Sequence, residues 1–158
     1  MDADNQSRIR QRDWFHSIEV APGIVTPGRV PLDYLRGLVQ RCALPDSLAG
    51  LRVLDVGAWD GFFSFEAERR GAREVVALDI PPVDRKGFAI ARELLGSRVH
   101  YERGSVYDLS PARHGTFDLV LFLRSALPPA PSAPGPRSTA LRLRRATCCS
   151  KVTCSTAA

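Results

Sequence analysis

After Asp118 the chain has no aspartate or glutamate, although all 17 of its acidic residues precede that point. The shortage matters because the whole sequence carries a formal charge of +5, which would ordinarily suggest nucleic acid or another acidic partner. Arg124, Arg137, Arg142, Arg144, Arg145 and Lys151 stand in the acid-free stretch. Taking these six from the 22 basic residues leaves 16 against 17 acids, a net charge of −1 for residues 1–123. The excess belongs to the tail, so the arginine cluster at 142–145 is not read as a nucleic-acid surface. Cysteine is also scarce where it would count: Cys42 is the one cysteine before the tail, and Cys148, Cys149 and Cys154 follow within it. That spacing supports neither a disulfide framework nor a zinc site, and no metal is expected. Long apolar runs are missing too. Phe117 to Leu123, interrupted by Asp118, falls far short of the roughly 20 residues of a membrane helix, and the N-terminus is polar rather than signal-like. The expectation is a soluble, cytoplasmic chain with room for one modest domain.

What is present alternates between strand and helix patterns. Residues 1–12 are polar and read as a frayed start. Trp14 to Val20 resumes apolar content, and Pro22-Gly23, Pro27-Gly28 and Pro31 punctuate a segment that turns repeatedly, as a cap or entry arm would. Leu32, Leu35, Leu38 and Val39 have helical spacing between Pro31 and Cys42, so residues 1–45 form an arm with a cap helix. Residues 46–123 then read as strand 53–56, helix 62–70, strand 74–80, helix 84–95, strand 99–103 and strand 117–123. Such an order argues for an α/β fold with a parallel sheet and right-handed crossovers. The last strand is apolar enough to lie inside a sheet covered on both faces. Residues 124–158 hold five prolines, no acid and no aromatic residue, and read as a disordered tail.

The most informative stretch is Val53-Leu54-Asp55-Val56-Gly57-Ala58-Trp59-Asp60-Gly61-Phe62. In doubly wound folds the carboxyl end of the first strand is where ligands sit, against a tight turn and a helix N-terminus. Gly57 and Gly61 bracket the turn. Asp79 ends the next strand, where a carboxylate can accept hydrogen bonds from both hydroxyls of a ribose. A dinucleotide fingerprint aligned on Gly57 would place its second and third glycines on Trp59 and Phe62. An indole where a pyrophosphate needs glycine counts against NAD, which remains the less favoured alternative.

Leu54 to Gly61, with Asp79 and with Phe117-Asp118-Leu119-Val120, resembles the class I S-adenosylmethionine-dependent methyltransferases. The block Trp14-Phe15-His16-Ser17-Ile18 with Gly23-Ile24-Val25-Thr26-Pro27-Gly28 is similar to the tRNA wobble-uridine (5-methoxyuridine or 5-oxyacetyl-uridine) methyltransferase-like group. The resemblance covers about residues 14–123. It implies a Rossmann-like sheet of which this chain supplies about four of the usual seven strands, with S-adenosylmethionine as cofactor. It also implies that Asp55, Gly57, Ala58, Trp59 and Gly61 surround the methionine end. Asp79 would then hold the ribose, Ile80 would pack on the adenine, and Ser105 and Val106 would face the adenine edge. Family members often carry Asp where Ser105 stands, which leaves the backbone at Val106 as the contact there. Trp14, Phe15 and His16 are substrate-side candidates, His16 either as acid or base or as a packed, hydrogen-bonded group. Phe62, Phe63 and Phe65 read as helix packing. The acceptor is a tRNA or a small hydroxylated metabolite; the alternative is a non-catalytic cofactor-binding fragment.

The resemblance also implies a glycine and then a Leu-Tyr-His segment after Leu123, where this chain has Arg124-Ser125-Ala126-Leu127-Pro128-Pro129. Reading permitted codons for Arg124 to Arg142 one base out of frame gives GALYHLRHPLLALDRLRS. A single-base insertion near codon 124 accounts for both the acid-free tail and the hidden text. On that reading the tail replaces the second half of the family's domain, and with it the part catalysis needs.

Overall fold

The computed structural model describes residues 3–123. The tail expected to be disordered and out of frame lies outside the described residues. The chain begins with helix α1 (Ala3–Arg10), followed by the short strands β1 (Glu19–Ala21) and β2 (Ile24–Val25), which pair antiparallel, and by helix α2 (Leu32–Arg41). Then come β3 (Arg52–Val56), α3 (Phe62–Arg69), β4 (Glu74–Asp79), α4 (Phe88–Leu94), β5 (His100–Arg103), the one-turn α5 (Pro111–His114) and β6 (Leu119–Leu121). Single 3₁₀ turns occupy Val83–Arg85 and Val106–Asp108.

The four longer-range strands form one parallel sheet in the order β5-β4-β3-β6, as the alternation of elements implies. Val53, Val75, Ala77, Leu119 and Leu121 contribute to the larger apolar cluster, together with Phe65, Phe88 and the arm's Trp14, Ile18 and Val20. Neighbouring positions Leu54, Val56, Val76 and Leu78 form a second cluster with Leu109, Phe117 and Val120. This is the period of two that a pleated strand imposes. Within the described residues β6 is an outer strand, paired to β3 alone, rather than an interior one.

Two expectations are corrected. Residues 3–10 are not frayed: Ile9 is buried, its carbonyl accepts a hydrogen bond from Trp14 Nε1 at 2.8 Å, and Arg8 pairs with Glu93 at the end of α4. The helix expected at 84–95 is broken into a 3₁₀ turn and α4. At the break Gly87 N–H donates to Asp60 Oδ1 at 2.9 Å, and a Cβ on Gly87 would stand 2.1 Å from the Trp14 ring. Tertiary docking thus overrides a continuous helical pattern.

Candidate functional site

The parallel register decides what meets at the carboxyl end of the sheet. Val56 lies opposite Leu78, so the residues that follow, Gly57 and Asp79, emerge side by side, with Gly57 N–H donating to the Leu78 carbonyl at 2.8 Å. Gly57 (φ +76°) and Gly61 (φ +91°) both sit in the left-handed region where glycine carries no side-chain clash. For Gly61 packing adds a second reason, since a Cβ would fall 2.6 Å from Phe88 and 2.8 Å from Phe65. Gly61 therefore serves the closure of α3 on α4, and Ala58, almost fully buried, also faces inward. Trp59 takes a positive φ of 56° despite its bulk, an uncommon conformation for a large residue.

Asp79 is 3% exposed, and its carboxylate is engaged from three directions. Oδ2 accepts Trp59 N–H at 2.8 Å and lies 3.2 Å from the Lys86 ammonium, while Oδ1 accepts Ile80 N–H at 2.8 Å. The same ammonium stands 3.2 Å from the centre of the Trp59 ring. Lys86 was not singled out in the sequence, because a lysine in a polar turn gives no signal of its own. Ile80 (63% exposed) and Val106 (41%) are on the surface, and Ser105 caps the turn that follows β5 by accepting from Tyr107 N–H. These three lie at the rim of the strand ends.

A cavity of about 200 Å³ opens beside the turn. The turn and its strand contribute Asp55, Gly57 and Trp59; α3 contributes Phe63; the arm contributes Phe15, His16 and Val30. Tyr34, Leu35 and Leu38 of α2 and Leu123 complete the wall. Of the residues expected at the site, Asp55, Gly57, Trp59, Phe15 and His16 come together here. Asp79, Ile80, Ser105 and Val106 do not line it, and Trp14 is buried against α1 and Gly87 instead. Phe62 and Phe65 pack as expected, whereas Phe63 faces both the core and the cavity.

Two buried carboxylates organise this region. Asp55 accepts the Ser64 hydroxyl at 2.6 Å, and burial pushes its pKa up to about 7 against that hydrogen bond. Asp60 is 0% exposed; one oxygen accepts Phe15 N–H (2.7 Å) and His16 N–H (2.9 Å), and the other accepts Gly87 N–H. It ties the arm and the start of α4 to the glycine turn, and burial raises its pKa. Nothing in the sequence could pair it with an amide 45 residues away. Among the described residues the His16 ring makes no hydrogen bond, contrary to the packed, hydrogen-bonded alternative, and its Nδ1 is a buried atom without a partner. The ring sits edge-on to Phe63 at 5.9 Å and to Phe15 at 5.2 Å.

Comparison with known proteins agrees with this geometry. Residues 54–127 match the family described as "Methyltransferase domain". The chain is 41% identical over 91 residues to the magnesium-protoporphyrin O-methyltransferase of Rhodobacter capsulatus, covering 56% of this chain and 38% of that one. It is 41% identical over 73 residues to the ubiquinone biosynthesis O-methyltransferase of Xanthomonas euvesicatoria pv. vesicatoria, covering 46% and 30%. The chain thus matches 38% of the length of the first of these relatives and 30% of the second. The fold superposes on the crystal structure of EvdMO1 with a TM-score of 0.55 at 22% identity, over 78% of this chain and 29% of that one. The matching segment, a little under half of the chain, resembles a methyltransferase domain. The cofactor of such a domain is S-adenosylmethionine. Among the described residues no helix is long and apolar enough to cross a membrane.

Proposed function

We propose that the chain acts in S-adenosylmethionine-dependent methyl transfer to an oxygen of a small hydroxylated molecule. The observation that carries this reading is the side-by-side emergence of Gly57 and Asp79 at the strand ends, within the segment that matches the methyltransferase domain. The residues present fit the cofactor. A buried carboxylate already paired to an ammonium can exchange that partner for ribose hydroxyls, and the Trp59 indole obstructs the pyrophosphate of a dinucleotide. When bound, the cofactor supplies a sulfonium methyl that an acceptor oxygen attacks directly, so the protein's part is alignment and exclusion of water. Gly57 and Trp59 would hold the methionine end and Asp79 the ribose, with Lys86 moving off Oδ2. Ile80, Ser105 and Val106 would border the adenine.

A tRNA wobble uridine is the other acceptor the sequence suggests. None of the comparisons supports it, and a body of net charge −1 offers no excess of cations for phosphates. A cofactor-binding portion without turnover of its own is the alternative the sequence leaves open. Calorimetry with S-adenosylhomocysteine and with NAD tests the cofactor. The expected result is binding of S-adenosylhomocysteine alone, weakened about tenfold or more by Asp79→Ala, the loss of one charge-assisted pair of hydrogen bonds. Tighter binding of NAD, or indifference to Asp79→Ala, would overturn the assignment. Methyl transfer to small phenols and to bulk tRNA then separates enzyme from fragment and one acceptor from the other.

A further inference from the structure

The cavity beside the turn has a size and chemistry of its own. Its volume is about 200 Å³, and an apolar cavity of roughly 150 Å³ takes a benzene molecule. One aromatic ring with a small polar substituent fits such a space. The walls suit a flat apolar guest, with the rings of Phe15, Trp59 and Phe63 and the side chains of Leu35 and Leu38. Phe15 and Trp59 already contact each other, with ring centres 5.1 Å apart.

Two ionisable groups interrupt this apolar lining, and they differ in one respect. Asp55 Oδ2 holds the Ser64 hydroxyl, whereas His16 Nδ1 is buried with no hydrogen-bond partner among the described residues. A buried acceptor left unpaired is costly, and a ligand hydroxyl that donates to it removes the cost. Burial and the nearby Lys86 ammonium push the His16 pKa down to about 4, opposed by Asp79, so the imidazole is neutral at pH 7 and keeps one nitrogen free to accept. Gly57 and Trp59 bound the cavity on the side assigned to the cofactor, and the arm and α2 bound it on the other.

We propose that this cavity is the methyl-acceptor site, that it takes a single-ring phenol, and that the phenol hydroxyl donates its hydrogen bond to the His16 imidazole. The proposal rests on the methyltransferase reading for calling the phenol an acceptor, but binding of the phenol can be measured independently. The test titrates phenol into the full chain, with and without saturating S-adenosylhomocysteine, and follows the ring-nitrogen signals of ¹⁵N-labelled histidines. Phenol should shift the His16 signals saturably under both conditions. His16→Ala should weaken phenol binding about tenfold or more while leaving affinity for S-adenosylhomocysteine unchanged, which also reports an intact fold. His16→Asn, whose amide oxygen can accept the same bond, should recover part of the loss. The proposal is overturned by phenol that leaves the His16 signals unmoved, by equal phenol affinity in His16→Ala, or by competition between phenol and S-adenosylhomocysteine for one space. If S-adenosylhomocysteine does not bind but phenol still moves His16, the cavity assignment stands and the cofactor assignment fails.

Discussion

Asp55 shows how a single side chain near the site sets a property of the whole chain. Its carboxyl is fully enclosed, and burial raises its pKa from 3.8 to about 7 even though the Ser64 hydroxyl favours the charged form. An acid whose folded pKa lies above its unfolded value binds its proton more tightly when folded. It therefore contributes stability below about pH 4, and that contribution is lost as pH rises towards 7. At roughly 1.4 kcal/mol per pKa unit the loss is on the order of 4 kcal/mol at most. Asp55→Asn keeps the shape and removes the charge. Urea unfolding of both proteins between pH 4 and 8 should show their stabilities diverging as pH rises, with the Asn variant the more stable at pH 8. Parallel profiles would mean that Asp55 titrates in its ordinary range.

At the scale of elements, the arm is held by backbone contacts that tolerate no added atom. A Cβ on Gly28 would lie 2.2 Å from the carbonyl carbon of His16 and 2.2 Å from Ser17 N, whereas one on Gly23 would meet nothing within 4 Å. Gly28→Ala should therefore cost about 3 kcal/mol or more by forcing the arm off the turn. Gly23→Ala, at φ +73°, should cost only about 1 kcal/mol of backbone strain. Chemical denaturation monitored by tryptophan fluorescence compares the two, and equal losses would show that the arm is not docked as described. The contrast also marks what the sequence disclosed. Alternating apolar runs and Gly57, Gly61 and Asp79 announced the sheet and its turn, because strand period, turn chemistry and strand-end polarity are local signals. Asp60, Lys86, the break at Gly87 and the inward role of Gly61 were not legible. Each depends on partners brought close only by folding: Phe15 and His16 amides for Asp60, Asp79 for Lys86, Trp14 for Gly87, Phe88 for Gly61.

At the scale of the whole molecule, the sheet and the reading frame bear on each other. β6 buries Leu119 and Leu121 and pairs with β3 on one side, while Phe122 is 47% exposed. The match to the methyltransferase domain ends at residue 127, four residues past Leu123 and within the stretch that follows the last acid, Asp118. The frame reading makes a prediction at the level of single bases, because the hidden text fixes third positions that the visible residues leave free. For Ala-Leu-Tyr-His to follow in the shifted frame, Ser125 must be encoded AGC and Ala126 GCT, the Leu127 codon must end in A, and so must the Pro128 codon. Sequencing the coding DNA checks these four codons directly. If they hold, deleting one base before codon 124 restores a chain that continues GALYHLRHPLLALDRLRS, and β6 gains an apolar continuation in place of a polar, proline-rich one. That chain should resist urea better and bind S-adenosylhomocysteine more tightly than the chain described, because burial of apolar surface is the main favourable term in folding. Other third bases at those codons, with the present tail shared by close relatives, would establish the tail as genuine and remove the frame reading altogether.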